Sequence, residues 1–231
     1  MAARPKRSSE AFFGRRKGPP LQPRKQRLMD EALPRLRIDV KRPAPAELSE
    51  LFDHAPAAIC MEIGFGGGEH LAEQAQANSD TGFIGVEPFI NGMAKMLGKV
   101  EDCDLANVRL YDDDATQLLD WLPSQSLSRV DLLYPDPWPK KRHWKRRFVN
   151  QANLDRMARV LQPGGLFRFV SDIDTYVNWT LQNIDRHGVF DWQANRADDW
   201  RQPWRGWTRT RYEAKAIREG RTPCYLQFWN R

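Results

Sequence analysis

The segment AICMEIGFGGGEHLAEQAQA, Ala58 to Ala77, decides the architecture. Ala58 to Ile63 is apolar apart from Glu62 and too short for a helix, as expected of a strand buried on both faces. Gly64, Gly66, Gly67 and Gly68 then interrupt the run, and a helical pattern follows through Leu71, Ala72, Ala75 and Ala77. Strand, tight turn and helix in that order open an alternating α/β chain.

The sequence downstream repeats the unit. GFIGVE, Gly82 to Glu87, is the second strand, followed by a helix from about Phe89 to Val100. Val108 to Tyr111 is the third, then the aspartates Asp112 to Asp114 and a helix over Thr116 to Leu122. The fourth comes from RVDLLY, Arg129 to Tyr134, stopped by Pro135 and Pro137, with a helix from about Arg147 to Leu161. Pro163, Gly164 and Gly165 turn the chain into a fifth strand, Leu166 to Val170. A helix from about Thr175 to His187 follows, and the last apolar run is Tyr225 to Trp229. The alternation predicts an α/β fold with a doubly wound parallel sheet and right-handed crossovers, with ligands at the carboxyl ends of the strands.

Two features at those strand ends point to an adenosine-containing cofactor. Glycines at 64, 66 and 68 let the backbone approach a ligand closely, and Glu87, about twenty residues on, has two oxygens for ribose hydroxyls. The dinucleotide fingerprint G-x-G-x-x-G fits poorly, because its third glycine, counted from Gly64, falls on Glu69. An acid at that helix start repels a pyrophosphate. S-adenosyl-L-methionine carries an amino acid moiety instead, and Glu62 is placed to attract its ammonium or sulfonium charge. Asp114 has two readings, acceptor for an adenine amino group or N-cap of the next helix.

After the fourth strand come Asp136 and Trp138, on a loop stiffened by Pro135, Pro137 and Pro139, then Lys140, Lys141, Arg142, His143, Trp144, Lys145, Arg146 and Arg147. A carboxylate, an aromatic plane and phosphate-seeking cations share one short loop. Asp136 reads as a site carboxylate or as a turn former, and Trp138 as a base-stacking ring or a packing plug. Farther on, Trp192, Trp200, Trp204 and Trp207 interleave with Arg196, Arg201, Arg205, Arg209 and Arg211, either as a stacking lid or as a packed subdomain.

Charge is unevenly spread. The net is +6, but residues 1 to 42 hold 13 Lys/Arg against 4 Asp/Glu, leaving the remainder slightly acidic. Residues 1–42 are therefore expected to form a basic, largely flexible arm, disordered to about residue 27 and with room for a short amphipathic piece from Leu28 to Leu36, before a catalytic domain over 43–231. Cys60, Cys103 and Cys224 are scattered without zinc or disulfide spacing. With no apolar run of membrane length and no secretory signal, a soluble cytoplasmic protein is expected, binding neither membrane nor metal.

EIGFGGGEHL (Glu62 to Leu71), Glu87 in GVEP, DDDA (Asp112 to Ala115) and above all YPDPWPKKRHWKRR (Tyr134 to Arg147) resemble the bacterial tRNA (guanine-N7-)-methyltransferase family. The match runs from about Ile59 to the C-terminus and includes Val170 to Asp172, Thr210 to Glu213 and Tyr225 to Phe228. Gly67 and Pro139 are small departures. The resemblance implies a mostly parallel, seven-stranded sheet of the S-adenosylmethionine-dependent methyltransferase type, acting on a variable-loop guanosine, position 46, of tRNA. It implies that Glu62, Glu87, Asp114 and Asp136 line the cofactor pocket, with Asp136 catalytic. Lys140, Asp172 and Thr210, Arg211, Tyr212 and Glu213 would contact the target nucleotide. Arg142, His143, Lys145, Arg146 and Arg147 would contact the RNA.

Overall fold

The strand and helix alternation closes into a single sheet whose pairing order creates a crevice. The structure, a computed structural model, describes residues 13–231. Its strands are β1 (Ala58–Ile63), β2 (Thr81–Val86), β3 (Val108–Tyr111), β4 (Leu127–Leu133), β5 (Leu161–Ser171), β6 (Phe190–Trp192) and β7 (Cys224–Asn230). They pair in the order β3-β2-β1-β4-β5-β7-β6. β1 to β5 run parallel, while β7 is antiparallel to both β5 and β6, so the sheet is mostly parallel. The chain winds one way from β1 to β3 and the other way from β4 to β5. The loops leaving β1 and β4 therefore diverge, and a ligand crevice opens between them.

Helices cover both faces. They are α1 (Pro23–Glu31), α2 (Leu33–Leu36), α3 (Glu69–Ala77), α4 (Ile90–Cys103), α5 (Ala115–Trp121), α6 (Gln151–Val160), α7 (Asp174–His187), α8 (Asp198–Arg201) and α9 (Arg211–Arg218). Met61, Ile84, Val130, Phe167 and Phe169 pack with Leu118, Leu154, Met157 and Tyr176 of α5, α6 and α7. Alternate residues Cys60, Phe83, Val108 and Leu110 meet Leu71 of α3 and Met93, Met96 and Leu97 of α4. Each such large side chain contributes roughly 1.5–3 kcal/mol through burial.

The structure departs from the sequence expectations in four places. β6 is only three residues long, below what periodicity resolves. β5 starts at Leu161 rather than Leu166, because Leu127 pairs with Leu161 and Arg129 with Leu166, leaving Gln162 to Gly165 looped out. α6 starts at Gln151 rather than near Arg147, since Asn150 caps it by accepting from the Asn153 N–H at 3.0 Å.

The fourth departure concerns the basic arm, of which residues 1–12 lie outside the described residues. Residues 23 to 38 are ordered against the body: Arg24 pairs with Glu101 and Asp102 of α4, and Arg27 Nη2 with Glu101 at 3.0 Å. Leu28, Leu33 and Ile38 are buried, and the Ile38 N–H donates to the Leu110 carbonyl of β3 at 2.9 Å. Three apolar anchors spaced along a charged segment supply the burial that composition alone conceals.

Candidate active site

At the carboxyl ends of β1, β2 and β4 lies a cavity of about 780 Å³, within the range of small-ligand sites. One wall is the glycine turn. Gly64 takes φ +73°, and a Cβ built there meets no atom within 4 Å, so the backbone faces open space. At the other side of the turn, a Cβ on Gly92 of α4 would fall 2.3 Å from the Gly66 carbonyl oxygen, so helix and turn touch backbone to backbone.

Glu87, at the end of β2, is held by that turn. Its Oε2 accepts from the Gly66 N–H at 2.7 Å and its Oε1 from the Phe89 N–H at 2.9 Å, leaving a lone pair on each oxygen for the cavity. Burial raises its carboxyl above the ordinary range against those two hydrogen bonds, and the charge of Asp136 adds to the rise. Asp114 is the N-cap of α5, its Oδ1 accepting from the Thr116 N–H at 3.0 Å, and the residue also borders the cavity.

The opposite wall is the proline loop. Asp136 borders the cavity while remaining exposed, and the partial loss of hydration there raises its carboxyl above the usual range. Two non-glycine residues on this loop take positive φ, Tyr134 at 49° and Trp138 at 43°. Such backbone costs about 1–3 kcal/mol each and persists only where the surroundings impose it. Arg146 stacks over Trp138 at 4.9 Å, His143 meets the ring edge-on at 6.0 Å, and the Tyr134 ring stacks on Tyr212 at 6.3 Å. His143 is held below the ordinary imidazole range by lost hydration and by Arg146, Arg142, Lys140 and Lys145.

Of the residues singled out in the sequence, Gly64, Gly66, Glu87, Asp114, Asp136, Trp138, Lys145, Arg146, Arg147, Arg211 and Tyr212 border this cavity. Lys140 and Arg142 are exposed on the stretch that follows Trp138. The others are engaged elsewhere. Glu62 is 4% exposed and its Oε2 accepts from His70 Nδ1 at 2.8 Å, behind the glycine turn. Gly68 caps α3 against Met96. Asp172 is paired with Arg221 Nε at 2.5 Å. The Thr210 hydroxyl caps α9 by accepting from the Glu213 N–H at 3.1 Å. Glu213 is buried, accepting from Trp207 Nε1 at 2.7 Å and the Tyr225 hydroxyl at 2.6 Å. Arg147, although it borders the cavity, is 1% exposed and turned inward, unlike the exposed Lys140, Lys141, Arg142 and Lys145.

The tryptophan tract resolves in part as packing: Trp204 and Trp207 lie edge-on at 5.0 Å, both meet Tyr225, and Arg168 covers Trp204 at 4.4 Å. Sequence reasoning missed Phe13 and Arg15, which border the cavity from the arm. Phe13 lies edge-on to Trp138 at 6.5 Å, and the Arg16 carbonyl accepts from the Ile90 N–H at 3.0 Å. The signal available was the apolar pair Phe12 and Phe13 inside an otherwise basic segment.

Comparison with known proteins fits this geometry. A family model described as "Putative methyltransferase" matches residues 56–226. A tRNA (guanine-N(7)-)-methyltransferase of Rhizobium meliloti (strain 1021) is 60% identical over 222 residues, 96% of each chain. The chain belongs to the tRNA (guanine-N(7)-)-methyltransferase family. A second member of that family, from Mesorhizobium japonicum, is 60% identical over 97% of each chain. The methyltransferase fold itself recurs in a solved 16S rRNA methyltransferase, KamB, with TM-score 0.54 at 13% identity, covering 76% of this chain and 88% of that one. Among the described residues of this family member, no helix is long and apolar enough to cross a membrane, and no cluster of His, Cys, Asp and Glu has the makings of a metal site.

Proposed function

We propose that this protein transfers the methyl group of S-adenosyl-L-methionine to N7 of a guanosine in tRNA, the acceptor being the variable-loop guanosine at position 46. The observation that carries the reading is a single cavity bordered by both Glu87 and Asp136, with Lys145 and Arg146 on its rim. Kinship over nearly the whole chain with proteins named tRNA (guanine-N(7)-)-methyltransferase supports the acceptor atom and the class of RNA.

The residues present fit the cofactor. The open backbone face at Gly64 has room for its amino acid part, Glu87 has lone pairs for ribose hydroxyls, and Asp114 lies within the same cavity for an adenine amino group. S-adenosyl-L-methionine supplies a methyl carbon activated by a sulfonium. Guanine N7 carries a lone pair and no hydrogen, so the protein need not remove a proton before attack. Its task is alignment and exclusion of water, for which the Tyr134 and Tyr212 rings and Trp138 wall the acceptor side.

As methyl transfer proceeds, positive charge enters the purine and acidifies N1–H. Asp136, accepting from N1–H and the exocyclic amine, then binds more strongly in the transition state than in the ground state. Lys140, Arg142 and Lys145, exposed on the stretch that follows Trp138, hold flanking phosphates. Incubation with unmodified tRNA and methyl-labelled cofactor, followed by nucleoside analysis, tests the reading: label should appear in 7-methylguanosine, and a guanosine-to-adenosine change at position 46 should remove it. Label in any other nucleoside, or none, rejects it.

A further inference from the structure

Arg147 closes the cationic run yet does not behave like the rest of it. Lys141–Arg146 forms two short 3-10 turns, and Arg147 follows in extended conformation, 1% exposed. No carboxylate lies within ion-pair distance of its guanidinium among the described residues. A buried cation without a counter-ion is unfavourable unless hydrogen bonds and polarisable neighbours replace its water. Arg147 has both. Its Nε donates to the Pro137 carbonyl at 3.0 Å, Nη1 to the Thr175 carbonyl at 2.7 Å and Nη2 to the Thr175 hydroxyl at 3.1 Å. The aromatic faces of Trp144 and Tyr176 lie 4.5 and 4.7 Å from its guanidinium carbon.

The acceptor at Pro137 is the informative one. Pro137 stands between Asp136 and Trp138, and its carbonyl belongs to the peptide plane whose rotation sets φ of Trp138, here +43°. A donor fixed on that carbonyl holds the plane, and with it the strained backbone from which Asp136 projects. The same guanidinium is anchored on Thr175 in the first turn of α7, so it ties the loop after β4 to the helix after β5. The cationic turn is folded onto this loop by further contacts: Trp144 Nε1 donates to the Pro139 carbonyl at 3.3 Å, and Arg146 covers Trp138.

We propose that Arg147 is a positioning residue for methyl transfer, holding the Asp136 to Trp138 loop in its strained form and joining it rigidly to the phosphate-binding turn. This rests on the role given above to Asp136. A lysine cannot reproduce the arrangement, because the planar fork reaches three acceptors on a loop and a helix and an ammonium does not.

The test is Arg147→Lys in the full chain, beside the wild type in the same tRNA assay. The expected result is a kcat lowered about tenfold or more, the scale of losing charged hydrogen bonds, with KM for tRNA, its salt dependence and cofactor affinity within about twofold of wild type. Trypsin cleavage after Lys140, Lys141 or Arg142 should accelerate in parallel, reporting the released loop. Weaker tRNA binding with a flatter salt dependence would make Arg147 an RNA contact and overturn the proposal. So would a lowered melting temperature with unchanged kcat and unchanged cleavage, the signature of a merely structural residue. Should Arg147→Lys fail to fold, Thr175→Val, which removes one acceptor, decides: a two- to fivefold fall in kcat supports the clamp, and no fall overturns it. A wild type that produces no 7-methylguanosine would instead reject the functional reading itself.

Discussion

Two loops leave the same end of the sheet and are built from opposite materials. The loop after β1 is glycine, open at Gly64 and pressed backbone to backbone against Gly92. The loop after β4 is proline and aromatic, with Tyr134 and Trp138 at positive φ, the first ring stacked on Tyr212 and the second covered by Arg146. On the first side the main chain is oriented by Glu87 and offered directly to a ligand. On the second, side chains are offered from a backbone that neighbours hold in place. In the proposed function the first loop meets a cofactor that is the same at every turnover and the second an RNA with a variable surround, and the two constructions match that difference.

Four perturbations break or sharpen the contrast. The largest effect is expected from Asp136→Ala, which leaves cofactor affinity near wild type in calorimetry but lowers single-turnover methyl transfer by about 100-fold or more. Next comes Gly92→Ala, whose Cβ would press on the Gly66 carbonyl. Overpacking of this kind destabilises by about 1–3 kcal/mol. Cofactor affinity should fall by about tenfold as the turn shifts, while RNA binding is retained. The reverse pattern, RNA affinity lost and cofactor retained, is expected for Arg142→Ala with Lys145→Ala. There tRNA binding should weaken several-fold at moderate salt, and the slope of log affinity against log salt should fall by about one per phosphate contact removed.

The smallest effect is a pH dependence. Burial works to lower the His70 pKa, but the charge and hydrogen bond of Glu62 outweigh it, so the folded value lies above the ordinary one. A group raised on folding stabilises below its unfolded pKa, about 6.5, and that contribution disappears as pH rises through the folded value. Melting temperature should therefore decline by a few degrees across that window, and His70→Gln should flatten the decline. With Glu87 and Asp136 acting as carboxylates in the proposed function, their raised values should make activity begin to fall on acidification before an ordinary carboxylate would titrate.

How much of this was legible beforehand depended on how local the cause was. The glycine turn, Glu87 and the proline loop announce themselves within a few residues, and the strands carrying them follow from short apolar runs. The packing of α1 was hidden because the partners of Arg24 and Arg27 are Glu101 and Asp102, more than seventy positions away. Asp172, Thr210 and Glu213 look like free polar groups in sequence and are committed to Arg221, a helix cap, and the Trp207 and Tyr225 donors in the fold. Arg147 shows the same limit most sharply: five cations before it in the string face outward or lie over a ring, and nothing local distinguishes the one that turns in.

The contact of Ile38 with Leu110 reaches beyond the site. β3 ends the sheet on one side, and a terminal strand left bare offers unpaired amides and carbonyls to any extended chain that drifts past. By bridging Arg37 and Ile38 onto Leu110, setting α2 against β3 and laying α1 over α4, the N-terminal region blunts that margin. Its charge draws attention to nucleic acid, but its three buried aliphatic anchors also act as a hem, keeping one copy of the molecule from being stitched to the next.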